Sequence, residues 1–367
     1  MDRLNIGIVG CGNISGIYLQ ADRKFQVLKT VAVADLDPAR ASQQAEKYNV
    51  PRACGVDELL SASDVDIVVN LTPPHAHAAV GLAALENGKH VYNEKPLSVD
   101  LQQAGQMLEL AEQKGLRVGC APDTFLGAGL QTSRKLIDDG AIGRPIAATG
   151  FMMGHGPERW HPNPDFFYKP GGGPLFDMGP YYLTAMVSLL GPIRAVAGVT
   201  GMAMQQRDIG SEARRGEKID VETPTHIVGL LEFDSAAIGN LITSFDVWGA
   251  QLPRIEIYGT EGSLSVPDPN HFGGPVKIRR SGDSQFQPVE LTHLYEENSR
   301  GIGIADMATA IISGRKHRAS GELAYHVLDT MHAILQAGRK RRHIGLTSGP
   351  ARPAALPTGL DEGTLDN

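Results

Sequence analysis

Between residues 4 and 121, short uninterrupted apolar runs alternate with helical patterns: LNIGIV, VLKTVAVA, DIVVNL, KHVYN and LRVGCA. A strand with one wet face alternates apolar and polar residues, whereas an unbroken apolar run belongs to a strand covered on both faces, as in a parallel sheet. The gaps carry helix signals. Pro38 opens PARASQQAEKYN, HAHAAVGLAALENG closes on Gly88, and Ser98 opens VDLQQAGQMLELAEQKG, which closes on Gly115. An open α/β domain over residues 1–122 is therefore expected.

Past residue 122 the texture changes. One helix is expected at LQTSRKLIDDG, and then strand-like runs dominate: PIAATGFMM, AVAGVTGMAM, THIVGLLEF, AIGNLITSF, RIEIYGTEGSLSV and VKIRR. Strands in series joined by turn residues predict an α+β domain with a large, mostly antiparallel open sheet, here over residues 123–345. Two late helices, near 303–313 and 323–338, follow the strands. Residues 346–367, rich in Pro, Gly and Thr and without periodicity, read as a C-terminal tail, disordered or laid on a neighbouring subunit. A length of 367 residues agrees with two cores rather than one.

The net charge of −7 argues against nucleic acid as a partner, because phosphate backbones demand a basic surface. The run Arg339 to Arg342 is a short solvated helix end. No stretch reaches the roughly 18 apolar residues of a membrane span, and no secretory signal is visible, so no membrane partner and a cytoplasmic location are expected. Three cysteines (Cys11, Cys54, Cys120) without metal-type spacing suit a reducing compartment. His75 and His77 stand two apart at a helix start and do not face each other, and His155, His161 and Asp165 fall in a proline-broken loop. No metal site is expected.

Directly after the first strand comes Gly10-Cys11-Gly12-Asn13-Ile14-Ser15-Gly16. A glycine-rich turn that opens a helix offers backbone N–H groups and a helix dipole to a pyrophosphate, with Gly10 for the tight turn and Gly12 for close phosphate approach. Ser15 holds the third glycine's place. The second strand ends in Asp35, nineteen residues after Gly16, where a carboxylate is expected to accept the ribose hydroxyls of NAD. Asp35 or Asp37 can also cap the helix that Pro38 begins. Two carboxylates disfavour a 2'-phosphate, so NAD is favoured over NADP, although Arg40 stands near.

Ligands of open α/β sheets bind outside the carboxyl ends of the strands. NLTPPHAH and then NEKP stand at two such ends, so Leu71, Thr72, Pro73, His77, Glu94 and Lys95 join Gly10, Gly12, Asn13, Ile14 and Asp35 as candidate cofactor residues. Lys95, pinned between Glu94 and Pro96, should face the crevice. Asp123 and Thr124 follow a further strand and are candidates for bonding substrate hydroxyls, with Asp123 equally readable as a turn residue. The aromatic loop GHGPERWHPNPDFFYKPGGGP adds Trp160 and His161 as substrate candidates, since aromatic faces with a few polar groups line ligand pockets, although such clusters are also ordinary core.

The combination of GCGNIS, Asp35, NLTPPHAH, GKHVYNEKPLS, GGGPLFDMGPYY and IEIYGTEGSL resembles the glucose-fructose oxidoreductase, inositol dehydrogenase and MocA-like (Gfo/Idh/MocA) family of NAD(P)-dependent oxidoreductases. The resemblance implies a Rossmann domain, then an α+β domain whose open sheet serves as a homodimer or homotetramer interface, and a sugar, sugar derivative or cyclitol as substrate. It also implies that Lys95 sits beside the site of hydride transfer. The family's second motif, Asp, any, Gly, any, His, reads here Asp177-Met178-Gly179-Pro180-Tyr181, with Thr184 where a further Asp stands. A subset of the family acting on aldoses or dihydrodiols has tyrosine at the place of Tyr181. Lys95, Asp177 and Tyr181 form the expected catalytic set, with Tyr182 as an alternative phenol. Asp177 can otherwise cap the helix YYLTAMVSLLG. The same scaffold also serves glycoside-cleaving or isomerising enzymes that use bound NAD, and non-enzymatic regulators.

Overall fold

A computed structural model of the chain describes residues 3–366. It forms two compact units. The first takes the chain up to Ala128, together with Thr292–Tyr325 and the stretch from Pro353 on, and the second takes Gly129–Leu291 and His326–Arg352. The chain thus returns to its first unit twice after leaving it.

The first unit is built on six parallel strands: β1 (Leu4–Val9), β2 (Leu28–Ala34), β3 (Arg52–Cys54), β4 (Ile67–Asn70), β5 (His90–Asn93) and β6 (Val118–Cys120), in the order β3-β2-β1-β4-β5-β6. The chain winds one way from β1 to β3 and the other way from β4 to β6. Its direction reverses between β1 and β4, and the carboxyl ends of these strands are where such sheets receive ligands. Every residue of β4 is buried, as its unbroken apolar run demanded. The glycine turn opens two single-turn helices, α1 (Ser15–Tyr18) and α2 (Ala21–Lys24), in place of one longer helix. α3 (Pro38–Tyr48), α4 (Val56–Ser61), α5 (His77–Glu86) and α6 (Leu101–Lys114) follow. α6 ends on Gly115 in the left-handed conformation, and its N-cap is Asp100, whose carboxylate accepts from Gln103 N at 2.8 Å. Ser98, the expected opener, instead accepts from Asp100 N.

The second unit carries a nine-stranded sheet. Its order is β16-β15-β14-β13-β7-β12-β11-β8-β17, and a separate hairpin pairs β9 (Gln206–Asp208) with β10 (Lys218–Asp220). The strands are β7 (Pro145–Met153), β8 (Ile193–Gly201), β11 (His226–Phe233), β12 (Ile238–Ser244), β13 (Ile255–Gly259), β14 (Gly262–Val266), β15 (Val276–Arg280), β16 (Gln287–Val289) and β17 (Ile344–Gly345). All pairs are antiparallel except β7 with β12. Helix α8 (Gly173–Leu190), which follows α7 (Ala128–Asp138), covers one face over β7, β11 and β12. Contact is tight there: a Cβ on Gly150 would lie 2.5 Å from Met186 Cε. On the other face Val199, Leu230 and Ile238 are 70%, 51% and 62% exposed.

Helices α9 (Ile302–Ser313) and α10 (Gly321–Lys340) come late in the chain, and α9 packs on β6. Buried Arg318 donates to Asp306 at 2.6 Å, to Asp366 at 2.7 Å and to the carbonyls of Ala354 and Ala355. The segment expected as a disordered tail or a partner-bound arm is therefore held on its own chain across these residues, by a buried guanidinium that needs their acceptors. Among the described residues no helix is long and apolar enough to cross a membrane.

Candidate active site

Gly10 has φ +103, and a Cβ there would lie 2.8 Å from the Leu71 backbone, so only glycine fits this turn. Leu71 contributes its backbone beneath the turn, and its side chain is buried. Gly12, Asn13 and Ile14 are exposed, and no atom lies within 4 Å of where a Cβ on Gly12 would stand. That edge is open to a phosphate. Ser15 is buried and donates to Gly12 O at 2.7 Å. The close packing assigned to the motif's third glycine falls one residue later, because a Cβ on Gly16 would come within 2.5 Å of Tyr48 Oη.

Asp35 Oδ2 accepts from Cys11 N at 2.7 Å and Oδ1 from Asp37 N at 2.9 Å. A carboxylate oxygen has room for two donors, so each retains a place for a ribose hydroxyl. Capping of α3 falls to Asp37, which accepts from Ala39 N at 3.0 Å. Arg40 lies 3.4 Å from Asp37 in an exposed ion pair. Burial, and then the Asp35 charge, push the Cys11 thiol up to about 11. The turn thus meets an anionic ligand as a neutral thiol. These features fit the pyrophosphate and ribose of NAD.

At the ends of β4 and β5 the two turns are tied together. Half-buried Thr72 donates to Asn70 Oδ1 at 2.6 Å, and Pro73 is exposed beside it. Glu94 Oε1 accepts from Tyr18 Oη and Oε2 from Lys95 N, each at 2.8 Å. Lys95 is half-buried at the carboxyl end of β5, where a ligand site belongs, and joins Pro96 by a cis peptide bond. His77 departs from expectation. It is 1% exposed, with ring nitrogens 2.6 Å from Pro96 O and 2.7 Å from Thr72 O, which leaves no edge of the ring for a cofactor. Burial pushes this ring below the usual histidine range, against the pull of the two carbonyls.

Asp123 and Thr124, expected at the substrate, are each 1% exposed. Asp123 Oδ2 accepts from Gly301 N at 2.8 Å and Gly303 N at 3.1 Å, so it caps α9 from a distant part of the chain. Burial raises its carboxyl to about 6. Thr124 opens a buried single turn, Thr124–Leu126.

In the second unit, α8 begins at Gly173, so Asp177 lies inside the helix and is no cap. Asp177 and Tyr181 stand at i and i+4, hence on one helix face, with Thr184 at i+7. Asp177 is half-buried and Tyr181 retains 7% exposure. Pro180 lacks an N–H and cannot bond Phe176 O, which marks off the first turns from the apolar remainder. Tyr182 points elsewhere: fully buried, it donates to Phe151 O at 3.3 Å, and burial raises its phenol well above the ordinary range. Of the two phenols, Tyr181 shares the Asp177 face.

Trp160 is 68% exposed, with its ring 5.5 Å from and edge-on to His161, which stacks edge-on against Phe166 and Phe167. Nothing in the sequence disclosed what holds this loop. Buried Arg207 donates to Glu158 at 2.9 Å, to the carbonyls of His155 and Phe245 and to Asp246, while Tyr168 donates to Glu158. Asp165, weighed as a metal ligand, is paired with Arg214. Among the described residues no three His, Cys, Asp or Glu side chains gather as a metal site would need.

Comparison with known proteins agrees with this architecture. Residues 4–121 match the model for an oxidoreductase family with an NAD-binding Rossmann fold, and residues 130–265 match the GFO/IDH/MocA C-terminal domain. A dTDP-3,4-didehydro-2,6-dideoxy-alpha-D-glucose 3-reductase of Streptomyces antibioticus is 31% identical, over 72% of this chain and 75% of that protein. A 1,5-anhydro-D-fructose reductase of Ensifer adhaerens is 27% identical, over 90% and 95%. A solved NAD-binding oxidoreductase from Klebsiella pneumoniae superposes with TM-score 0.83 at 25% identity, covering 94% of this chain and 99% of that one. Levoglucosan dehydrogenase in complex with NADH and levoglucosan, at 20% identity and TM-score 0.80, covering 95% and 100%, shares the fold. The chain belongs to the Gfo/Idh/MocA family. It is an oxidoreductase, and its first unit binds NAD.

Proposed function

We propose that the enzyme interconverts a secondary alcohol and its carbonyl on a sugar, sugar derivative or cyclitol, with Lys95, Asp177 and Tyr181 as the catalytic set. The observation that carries this is the placement of Asp177 and Tyr181 on one face of α8 while Tyr182 is committed to Phe151 O. The named relatives support the substrate class: the two reductases above are named for sugar derivatives, and a scyllo-inositol 2-dehydrogenase of Bacillus subtilis is named for a cyclitol.

When bound, NAD accepts the hydride. The C–H bond of the carbinol breaks with its electron pair, and the hydroxyl proton passes to Tyr181, acting as general base. Lys95 lowers the cost of the phenolate and stabilises negative charge on the substrate oxygen. Asp177 accepts a hydrogen bond that orients the substrate. The outward face of the sheet, with Val199, Leu230 and Ile238, pairs with a second copy of the chain, and the protein works in the cytoplasm.

Lys95→Met and Tyr181→Phe should each lower turnover on a panel of sugars, glycosides and inositols by about 10²–10⁴, the range for a lost acid–base group, with NAD affinity preserved. Wild-type turnover in Tyr181→Phe would remove the phenol from the mechanism.

A further inference from the structure

We infer that His77, together with Asn70 and Asn93, is a positioning residue for Lys95, gripping the turn that carries the lysine and fixing it to the turn after β4. The inference rests on the reading of Lys95 as a catalytic group.

Asn70 and Asn93 are fully buried and His77 nearly so. Burying three polar side chains at strand ends is costly unless each finds partners, and apolar residues would serve packing better. Their partners have one thing in common. Asn93 Nδ2 donates to Leu97 O at 3.0 Å, and the His77 ring sits against Pro96 O, so the carbonyls of both residues following Lys95 are held. On the preceding side, Glu94 N donates to Asn70 O at 2.9 Å, and the carboxylate of Glu94 accepts from the lysine's own N–H. Asn70 closes the layer by donating to Asn93 Oδ1 and His77 O, each at 3.0 Å, while its own Oδ1 and the His77 ring hold Thr72. The backbone on either side of Lys95 is thereby fixed to β4. A displacement of about 1 Å at such a position costs on the order of 10²-fold in rate.

The test compares His77→Phe, His77→Gln and Lys95→Met by kcat and by calorimetric Kd for NAD. The neutral imidazole has one N–H and donates to one of the two carbonyls; phenylalanine keeps the bulk but removes that donor, and glutamine restores it. The expected result is a kcat about 100-fold down in His77→Phe, a smaller loss in His77→Gln, and an NAD Kd near wild type in both. Wild-type kcat in His77→Phe beside an inactive Lys95→Met overturns the positioning role while leaving the lysine in place, whereas wild-type kcat in Lys95→Met removes the lysine reading itself. An NAD Kd that rises as much as kcat falls also overturns the inference, because it makes His77 a determinant of cofactor binding. Should His77→Phe not fold, His77→Gln decides: reduced kcat with unchanged Kd supports the role, and wild-type kcat ends it.

Discussion

Replacing Asp123 by asparagine tests whether this residue serves architecture or substrate. Its carboxyl is held at about 6, against an ordinary 3.8, because burial outweighs the help of the Gly301 and Gly303 amides. The folded protein therefore keeps this proton over a pH range in which the unfolded chain has released it. Stability from this group is present below about pH 4 and is lost as the pH rises to about 6. At 1.36 kcal/mol for each pH unit, the gap between 3.8 and about 6 amounts to about 3 kcal/mol. Asparagine preserves an oxygen for both glycine amides and cannot titrate. Urea unfolding at intervals from pH 4 to pH 7 should show the wild type losing about 3 kcal/mol relative to Asp123→Asn, with turnover at neutral pH retained in the variant. Parallel stability curves would refute the burial argument, and a selective rise in substrate KM would return Asp123 to the substrate.

Two further outcomes follow from the geometry. Asp35→Ala removes the acceptor for a ribose diol and should weaken NAD far more than NADP in a binding titration; equal losses would contradict the role assigned to that carboxylate. Under the proposed pairing of outward sheet faces, Leu230→Lys places a charge in the contact and should lower the sedimenting mass to that of a monomer, whereas an unchanged mass would exclude this face as the contact.

The parts that were legible in the sequence are those written in local pattern. β1, β2 and β4 stood out because strands covered on both faces need unbroken apolar runs, and the nucleotide turn stood out because its glycines are sterically required. β3 escaped notice, being a three-residue edge strand that begins with arginine. The start of α8 was hidden because Gly172, Gly173 and Pro174 read as loop, and with it the shared face of Asp177 and Tyr181. Asp123 looked like a substrate residue because its partners, Gly301 and Gly303, lie nearly half the chain away, and no pattern of spacing encodes such a pairing. The centre of the aromatic loop escaped for the same reason, since Glu158, Arg207 and Asp246 are scattered across three segments. The place of His77 at a strand end suggests a cofactor residue, and only its burial shows that it faces inward.

Because the first unit is completed by Thr292–Tyr325 and the stretch from Pro353 on, a nascent chain that has emerged as far as Ala128 already owns all six parallel strands but lacks the glycine amides that receive Asp123. An excised nucleotide-binding fragment ending there would expose the surface of β6 that α9 covers, and grafting it onto another scaffold requires carrying the later segments along.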